Sequence, residues 1–158
     1  MSIQFLSYSF LMEKIDIFTD GGCSGNPGPG GWAFVMLKDG KLIINSSGGS
    51  PATTNNIMEL TAVINAIKDC QIMGFSNFSI HTDSQYVKNG ITQWIHNWKR
   101  NGWRTSSKEP VKNKDLWLEL NDLNAKSNIE WIWVKGHAGI EFNEMCDSLV
   151  RAEMDKFK

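Results

Sequence analysis

Residues 17–31, IFTDGGCSGNPGPGG, decide how this chain of 158 residues is organised. An apolar run ends at Asp20, and six glycines and two prolines separate it from the next apolar run, WAFVML. This pattern predicts a strand, a tight turn and a second strand. We expect the glycines to permit a hairpin whose backbone approaches a ligand closely.

A phosphate-binding loop is the other interpretation of glycines that follow a strand. The segment lacks the G-x-x-x-x-G-K-[ST] motif, and a strand follows it. In such loops a helix N-terminus holds the phosphates. The sequence therefore argues against a nucleotide-binding loop.

The remaining apolar pattern predicts strands first and then alternating helices and strands. KIDIFTD, GGWAFVMLKDG and KLIINSSGG indicate an antiparallel meander. Helical spacing runs from Thr54 to Met73, with Thr or Asn as the start signal and Gly74 as the stop. FSIHTD and IEWIWV predict two more strands, and helices are predicted for SQYVKNGI, TQWIHNWKRN, KDLWLELNDLNAK and EFNEMCDSLVRAEMDKF. We expect an α/β fold with a mixed sheet and helices on its faces.

Length and composition suit one domain. A chain with 41% hydrophobic residues can bury a core without metal or disulfides. The three cysteines, Cys23, Cys70 and Cys146, form no C-x-x-C pair, which predicts neither a zinc site nor a disulfide framework and favours a reducing cytoplasm.

The N-terminal residues show no targeting pattern. MSIQFLSYSFLM lacks a positive flank and a cleavage site, and no apolar run of the chain is long enough to span a membrane. We interpret residues 1–11 as an extension that is disordered or covers a sheet edge, with Met12 as an alternative start. Residues 12–158 are predicted to form a single domain.

A net charge of −1 conceals an uneven distribution. Residues 88–114 carry seven basic side chains and one acidic one, a net charge of +6, so the remainder carries −7. This division predicts one face for a polyanion and another that gathers carboxylates. A solvated basic face is the alternative.

Four acids and one histidine are the candidate site. Asp20 and Asp83 each end a predicted strand, Glu59 lies in the first turns of the long helix, and Asp147 follows a loop that contains His137. The ends of neighbouring strands are close together in α/β sheets, and carboxylates that close repel one another unless a cation is present. Oxygen ligands without thiolates point to Mg²⁺ or Mn²⁺ rather than zinc.

Each of these residues also has a structural interpretation. Asp20 before two glycines is typical of a turn, and Glu59 near a helix start favours the helix dipole. Asp83 before Ser84 fits a helix N-cap, and His137 fits an ordinary loop position.

Five ordered segments together resemble bacterial type 1 ribonuclease H: TDGGCSGNPGPGGWA, TTNNIMELTAVINAI, TDSQYVKNGITQWIHNWKRNGW, PVKNKDLW and WVKGHAGIEFNEMCD. The resemblance runs from Lys14 to Met154. It implies a ribonuclease H-like fold, with a five-stranded mixed sheet of three antiparallel and then two parallel strands and a basic helical protrusion. It also implies a metal-dependent endonuclease that cuts the RNA strand of RNA/DNA hybrids with little sequence specificity, leaving 5′-phosphate and 3′-hydroxyl ends.

The family's functional residues fall on matching positions here. Its four acids fall on Asp20, Glu59, Asp83 and Asp147, and its mobile histidine falls on His137. The expected cofactor is a pair of Mg²⁺ ions, for which Mn²⁺ can substitute. Asp20 is expected to bridge the ions, with Glu59 and Asp83 beside the leaving oxygen and Asp147 beside the attacking water. His137 is expected to shuttle a proton or help product release.

The same resemblance implies the nucleic-acid contacts. Groove contacts fall on Gly22, Cys23, Asn26, Asn55 and Gln85, where small polar groups can test for the RNA 2′-hydroxyl. Thr54 and Asn56 resemble a pocket for a DNA phosphate. Many relatives carry an arginine where this chain has Ile57, so we expect a weaker grip on that phosphate.

Residues 92–114 resemble the family's basic handle. Its candidate nucleic-acid contacts are Trp94, Lys99, Arg100, Trp103, Arg104 and Lys112, although packing is the favoured interpretation of Trp94 and Trp98. We expect a cytoplasmic monomer whose partner is an RNA/DNA hybrid. A catalytically silent hybrid-binding module and a nuclease acting on DNA alone are the alternatives.

Overall fold

The computed structural model describes residues 14–135 and 141–158. The strands are β1 (Ile15–Cys23), β2 (Gly28–Lys38), β3 (Lys41–Thr53), β4 (Asn77–Thr82) and β5 (Asn128–Trp133). The helices are α1 (Asn55–Ile72), α2 (Gln85–Asn89), α3 (Ile95–Arg100), α4 (Lys114–Ala125) and α5 (Glu141–Asp155), and a π-helical turn, Gly90–Trp94, joins α2 to α3. The predicted extension and His137 lie outside the described residues.

The five strands form one mixed sheet in the order β3-β2-β1-β4-β5. β1, β2 and β3 pair antiparallel, whereas β4 pairs parallel to β1 and β5 pairs parallel to β4. The expected α/β fold is therefore confirmed. β1 is longer than predicted, because its pairing with β2 continues past Asp20 as far as Cys23 opposite Gly30.

Alternate residues of the central strands face two separate apolar layers. Ile17 of β1 and Phe34 of β2 belong to the larger core, where they pack with buried residues of α1, and Phe18 and Val35 belong to a second core with α5. β2 is buried on both faces, which explains its nearly continuous apolar sequence. Helices thus cover both faces of β1, the strand that carries Asp20.

The helix boundary signals of the sequence are present in the structure. The Thr54 side chain accepts a hydrogen bond from the backbone N–H of Ile57 and caps α1, which settles the choice between Thr and Asn as the start signal. Gly74 follows the helix with a φ of +89°. Within the described ranges, no helix is both long and apolar enough to cross a bilayer.

The glycines of residues 17–31 serve packing as well as the hairpin. A Cβ built on Gly21 would lie 2.5 Å from the backbone of α1, and one built on Gly31 would lie 2.7 Å from the Val150 carbonyl oxygen of α5. These glycines let both helices lie directly against the sheet. The hairpin prediction is correct, and at these two positions the close approach is made to helix backbone. The predicted approach of the hairpin backbone to a ligand stays a prediction.

Candidate active site

Asp20 and Asp83 are brought together by the parallel register of β1 and β4. Phe18 lies opposite His81, and the same offset continued for two residues leads from Asp20 to Asp83, which both line one cleft. Asp20 Oδ1 accepts a hydrogen bond from the backbone N–H of Gly21 at 3.0 Å. That contact is the local one expected of an Asp before glycine.

Glu59 reaches the same place from α1. The close approach of α1 to Gly21 sets its backbone against β1, and its carboxyl is largely buried beside Asp83 and Ser84. Burial and the negative charge of Asp83 raise the pKa of Glu59 from 4.5 to about 7, while a hydrogen bond from Ser84 lowers it. A carboxyl with such a pKa is partly protonated near neutral pH, and a cation placed beside it would favour its ionised form.

Helix α5 supplies Asp147 to the candidate site. Its carboxylate is 24% exposed and pairs with Arg151, one helical turn further along. The neighbouring Cys146 points into the second core and donates its thiol proton to the Phe18 carbonyl oxygen at 3.2 Å. Burial, and secondly the charge of Asp20, raise the pKa of the Cys146 thiol, so this sulfur remains protonated.

The four acids line one cleft of about 340 Å³. They come from β1, α1, α5 and the residue after β4, and the cleft is completed by Gly21, Gly22, Cys23, Asn55, Val150 and Met154. Among residues 14–135 and 141–158, the side chains do not form a ready cluster of three acidic, histidine or cysteine ligands around one metal position. The fold thus gathers the carboxylates in one cleft without fixing them in a coordination shell.

Two of the structural interpretations of these acids are wrong. Ser84, and not Asp83, caps α2, because the Ser84 side chain accepts from the backbone N–H of Val87 at 3.1 Å. Glu59 is the fifth residue of α1, and no acid occupies the first turn of that helix. Neither Asp83 nor Glu59 is therefore needed for the start of a helix.

The predicted groove contacts lie beside this cleft. Gly22, Cys23 and Asn55 line it, and Asn26 accepts a hydrogen bond from the Asn55 backbone N–H at 3.1 Å. The Cys23 thiol lies within 3.3 Å of the carbonyl oxygens of Gly25, Gly28 and Thr53. These contacts tie the β1–β2 hairpin to the start of α1.

The other predicted contact residues lie around the start of helices α1 and α2. Gln85 is exposed as the first residue of α2, next to Asp83. Thr54, the cap of α1, and Asn56 are half-buried at the start of that helix.

The basic segment is built on an aromatic cluster. The ring centroid of Trp98 lies 6.0 Å from Trp94, 5.9 Å from Trp103 and 5.2 Å from the fully buried Trp117. This confirms the packing interpretation of Trp94 and Trp98, although Trp94 remains 36% exposed. The candidate cations Lys99, Arg100, Arg104 and Lys112 are all exposed.

Sequence reasoning missed two residues of the site. The sequence marks Ser84 only as the neighbour of Asp83, yet its hydroxyl both caps α2 and reaches Glu59. The second is Arg151, whose spacing of four from Asp147 on a predicted helix is the sequence signal for an ion pair.

Comparison with known proteins gives consistent matches over most of the chain. The family model for RNase H matches residues 12–155. A ribonuclease H of Treponema denticola is 54% identical over 150 residues, covering 86% of this chain and 94% of that protein. A ribonuclease H of Anaplasma marginale is 54% identical over 144 residues, covering 91% of this chain and 92% of that protein.

Solved structures match the fold. LC9-RNase H1, a type 1 RNase H with the type 2 active-site motif, superposes with a TM-score of 0.81 at 31% identity, covering 91% of this chain and 73% of that one. LC11-RNase H1 in complex with an RNA/DNA hybrid gives a TM-score of 0.67 at 28% identity, covering 90% of this chain and 98% of that one. With its mixed sheet, its acid-lined cleft and these matches, the chain belongs to the ribonuclease H family of endonucleases.

Proposed function

We propose that this protein hydrolyses the RNA strand of RNA/DNA hybrids, leaving 5′-phosphate and 3′-hydroxyl ends. The observation that carries the proposal is the convergence of Asp20, Glu59, Asp83 and Asp147 from four separate segments on one cleft. A structural role does not explain four acids in one place, because the mutual repulsion of their carboxylates would destabilise the fold. The hybrid bound by the related LC11-RNase H1 supports this choice of substrate.

The donor set of the cleft fits a hard divalent cation. All four acids offer carboxylate oxygens, and the Cys23 thiol is directed at backbone carbonyls. Cys146, whose raised pKa keeps it protonated, is fully buried. Among the described residues that line the cleft, carboxylates are present without an available thiolate or an imidazole, and such a donor set suits Mg²⁺ or Mn²⁺.

The four acids would share a pair of Mg²⁺ ions, with Mn²⁺ able to substitute. Bound there, the ions would activate water and stabilise the developing charge on the leaving oxygen. Asp20 would contribute to both ions, Glu59 and Asp83 to the leaving-group side and Asp147 to the water side. His137 would act as a proton shuttle or assist product release, as the family resemblance implies.

The protein's own groups would position the hybrid. Asn26, Asn55 and Gln85, with the backbone at Gly22 and Cys23, offer polar contacts to the minor groove, where RNA displays its 2′-hydroxyls. Thr54 and Asn56 would hold a DNA phosphate. The exposed basic residues of the handle, with Trp94 and Trp103, would contact the backbone further away. Since phosphate contacts carry no base information, cleavage would be nearly independent of sequence and would weaken with salt.

The decisive experiment compares labelled RNA/DNA hybrid, RNA duplex and DNA duplex in Mg²⁺ and in chelator. We expect Mg²⁺-dependent cleavage of the RNA strand of the hybrid alone, and its loss in Asp20→Asn. Asp122→Asn is the matched control, because Asp122 is an exposed acid on α4. Normal cleavage of the hybrid by Asp20→Asn would overturn the proposal. If the wild type binds the hybrid without cleaving it, the protein is a silent binding module. If the wild type cuts duplex DNA, it is a DNA nuclease. A monomeric state and a cytoplasmic location are further parts of the proposal.

A further inference from the structure

Arg151 pairs with one of the acids that line the cleft, and the proposed chemistry does not use it. It lies on α5 one turn after Asp147, and its Nη2 pairs with Asp147 Oδ2. The acid precedes the base at a spacing of four, which is the favourable orientation relative to the helix dipole. The Arg151 side chain is 66% exposed while that of Asp147 is 24% exposed. The guanidinium therefore approaches the carboxylate from the solvent side.

We propose that Arg151 is a competing counter-ion for Asp147 that lowers the affinity of the site for Mg²⁺ and stabilises the protein without metal. This inference rests on the proposed function, because it assumes that a divalent cation binds at Asp147. It assigns Arg151 a positioning role, with no contact to the reacting atoms.

Electrostatics gives the direction of both effects. Four carboxylates line one cleft, so a guanidinium at one of them reduces their mutual repulsion when no metal is present. A dication that takes the same Asp147 oxygen must displace the guanidinium or accept a positive neighbour. Either event lowers the affinity of the site for the dication. This loss of affinity is absent in a variant that lacks the positive charge of Arg151.

The exposure of Arg151 keeps the competition modest. A guanidinium that is 66% exposed regains water when it leaves the carboxylate. Exposed helical pairs at this spacing change an equilibrium by about two-fold, and the residual repulsion of a nearby dication adds to this. We therefore expect removal of the charge to tighten Mg²⁺ binding by about two- to five-fold.

A charge series at one position tests the proposal without relying on activity. Arg151→Lys, Arg151→Gln and Arg151→Glu are compared with the wild type by calorimetric titration with Mg²⁺ and by thermal unfolding in chelator. Lys126→Gln is the matched control, because Lys126, the residue after α4, forms an i,i+4 pair with Asp122 at 3.5 Å, outside the cleft lining.

The expected results are ordered by charge. Mg²⁺ affinity should be unchanged in Arg151→Lys, two- to five-fold tighter in Arg151→Gln and tighter still in Arg151→Glu. The melting temperature in chelator should fall in the same order, and Lys126→Gln should leave Mg²⁺ affinity unchanged. Equal Mg²⁺ affinity across the series, or weaker binding in Arg151→Gln, would overturn the inference. If the wild type binds no Mg²⁺, the metal-dependent function fails first, so the two failures are distinguishable.

Discussion

Replacing Glu59 by glutamine tests the electrostatics of the cleft directly. In the folded protein, burial and then the charge of Asp83 raise the pKa of Glu59 from 4.5 to about 7. Between these two values the folded state holds a proton that the unfolded state has lost, so the stability of the wild type falls as the pH rises. The stabilising contribution of this protonated carboxyl is complete below about pH 4.5 and is lost as the pH passes through about 7.

The size of the effect follows from the same two values. A pKa rise from 4.5 to about 7 corresponds to about 3 kcal/mol at about 1.4 kcal/mol per pH unit. Water in the open cleft screens part of this, so we expect about 2 to 3 kcal/mol at pH 8 and less than about 1 kcal/mol at pH 5. Glu59→Gln cannot ionise and should gain this amount over the wild type. For a chain of this size the gain at pH 8 is a rise of about 5 to 10 °C in melting temperature.

The assay is thermal unfolding of both proteins in chelator at pH 5, 6, 7 and 8. Glu130→Gln is the control, because Glu130 is an exposed glutamate on β5 outside the cleft lining. Saturating Mg²⁺ should stabilise the wild type and reduce the advantage of Glu59→Gln. A melting-temperature difference between Glu59→Gln and the wild type that stays constant from pH 5 to pH 8 would refute the reasoning.

Three other substitutions give independent tests. Gly21→Ala should lower the free energy of unfolding by about 1 to 3 kcal/mol in denaturant titrations, because its Cβ would lie 2.5 Å from the α1 backbone, whereas Gly22→Ala meets only a methyl at 3.5 Å; equal losses would contradict this. Ile57→Arg, at the start of α1, should tighten hybrid binding by about two- to ten-fold in fluorescence titrations, and unchanged affinity would remove the predicted phosphate contact. Lys99→Gln should reduce the slope of log affinity against log salt by about 1, while Lys41→Gln on β3 should leave the slope unchanged; a slope unaffected by Lys99→Gln would argue against handle contact.

Local sequence was enough to predict most of the fold. Short apolar runs and alternation at period 2 marked the strands, helical spacing marked the helices, and Thr54 and Gly74 marked the ends of α1. The predicted end of β1 was wrong, because the last three residues of the strand are held by cross-strand pairing with β2 and not by their own β propensity. The same limit applies to the glycines, whose contacts with α1 and α5 depend on elements distant in the chain.

The sequence by itself determined the types of residue at the site, since the acids at strand ends and the Gly-rich hairpin can be identified from the order of residues alone. Only the tertiary structure decided that Asp83 is not a helix cap, that Ser84 is, and that burial beside Asp83 changes the protonation of Glu59. The physical reason is that desolvation and charge repulsion depend on the distances between segments in the folded chain, which the local sequence pattern does not give. Propensity acts over a few neighbouring residues, whereas the parallel register of β1 and β4 brings Asp20 beside Asp83 across more than sixty residues of chain.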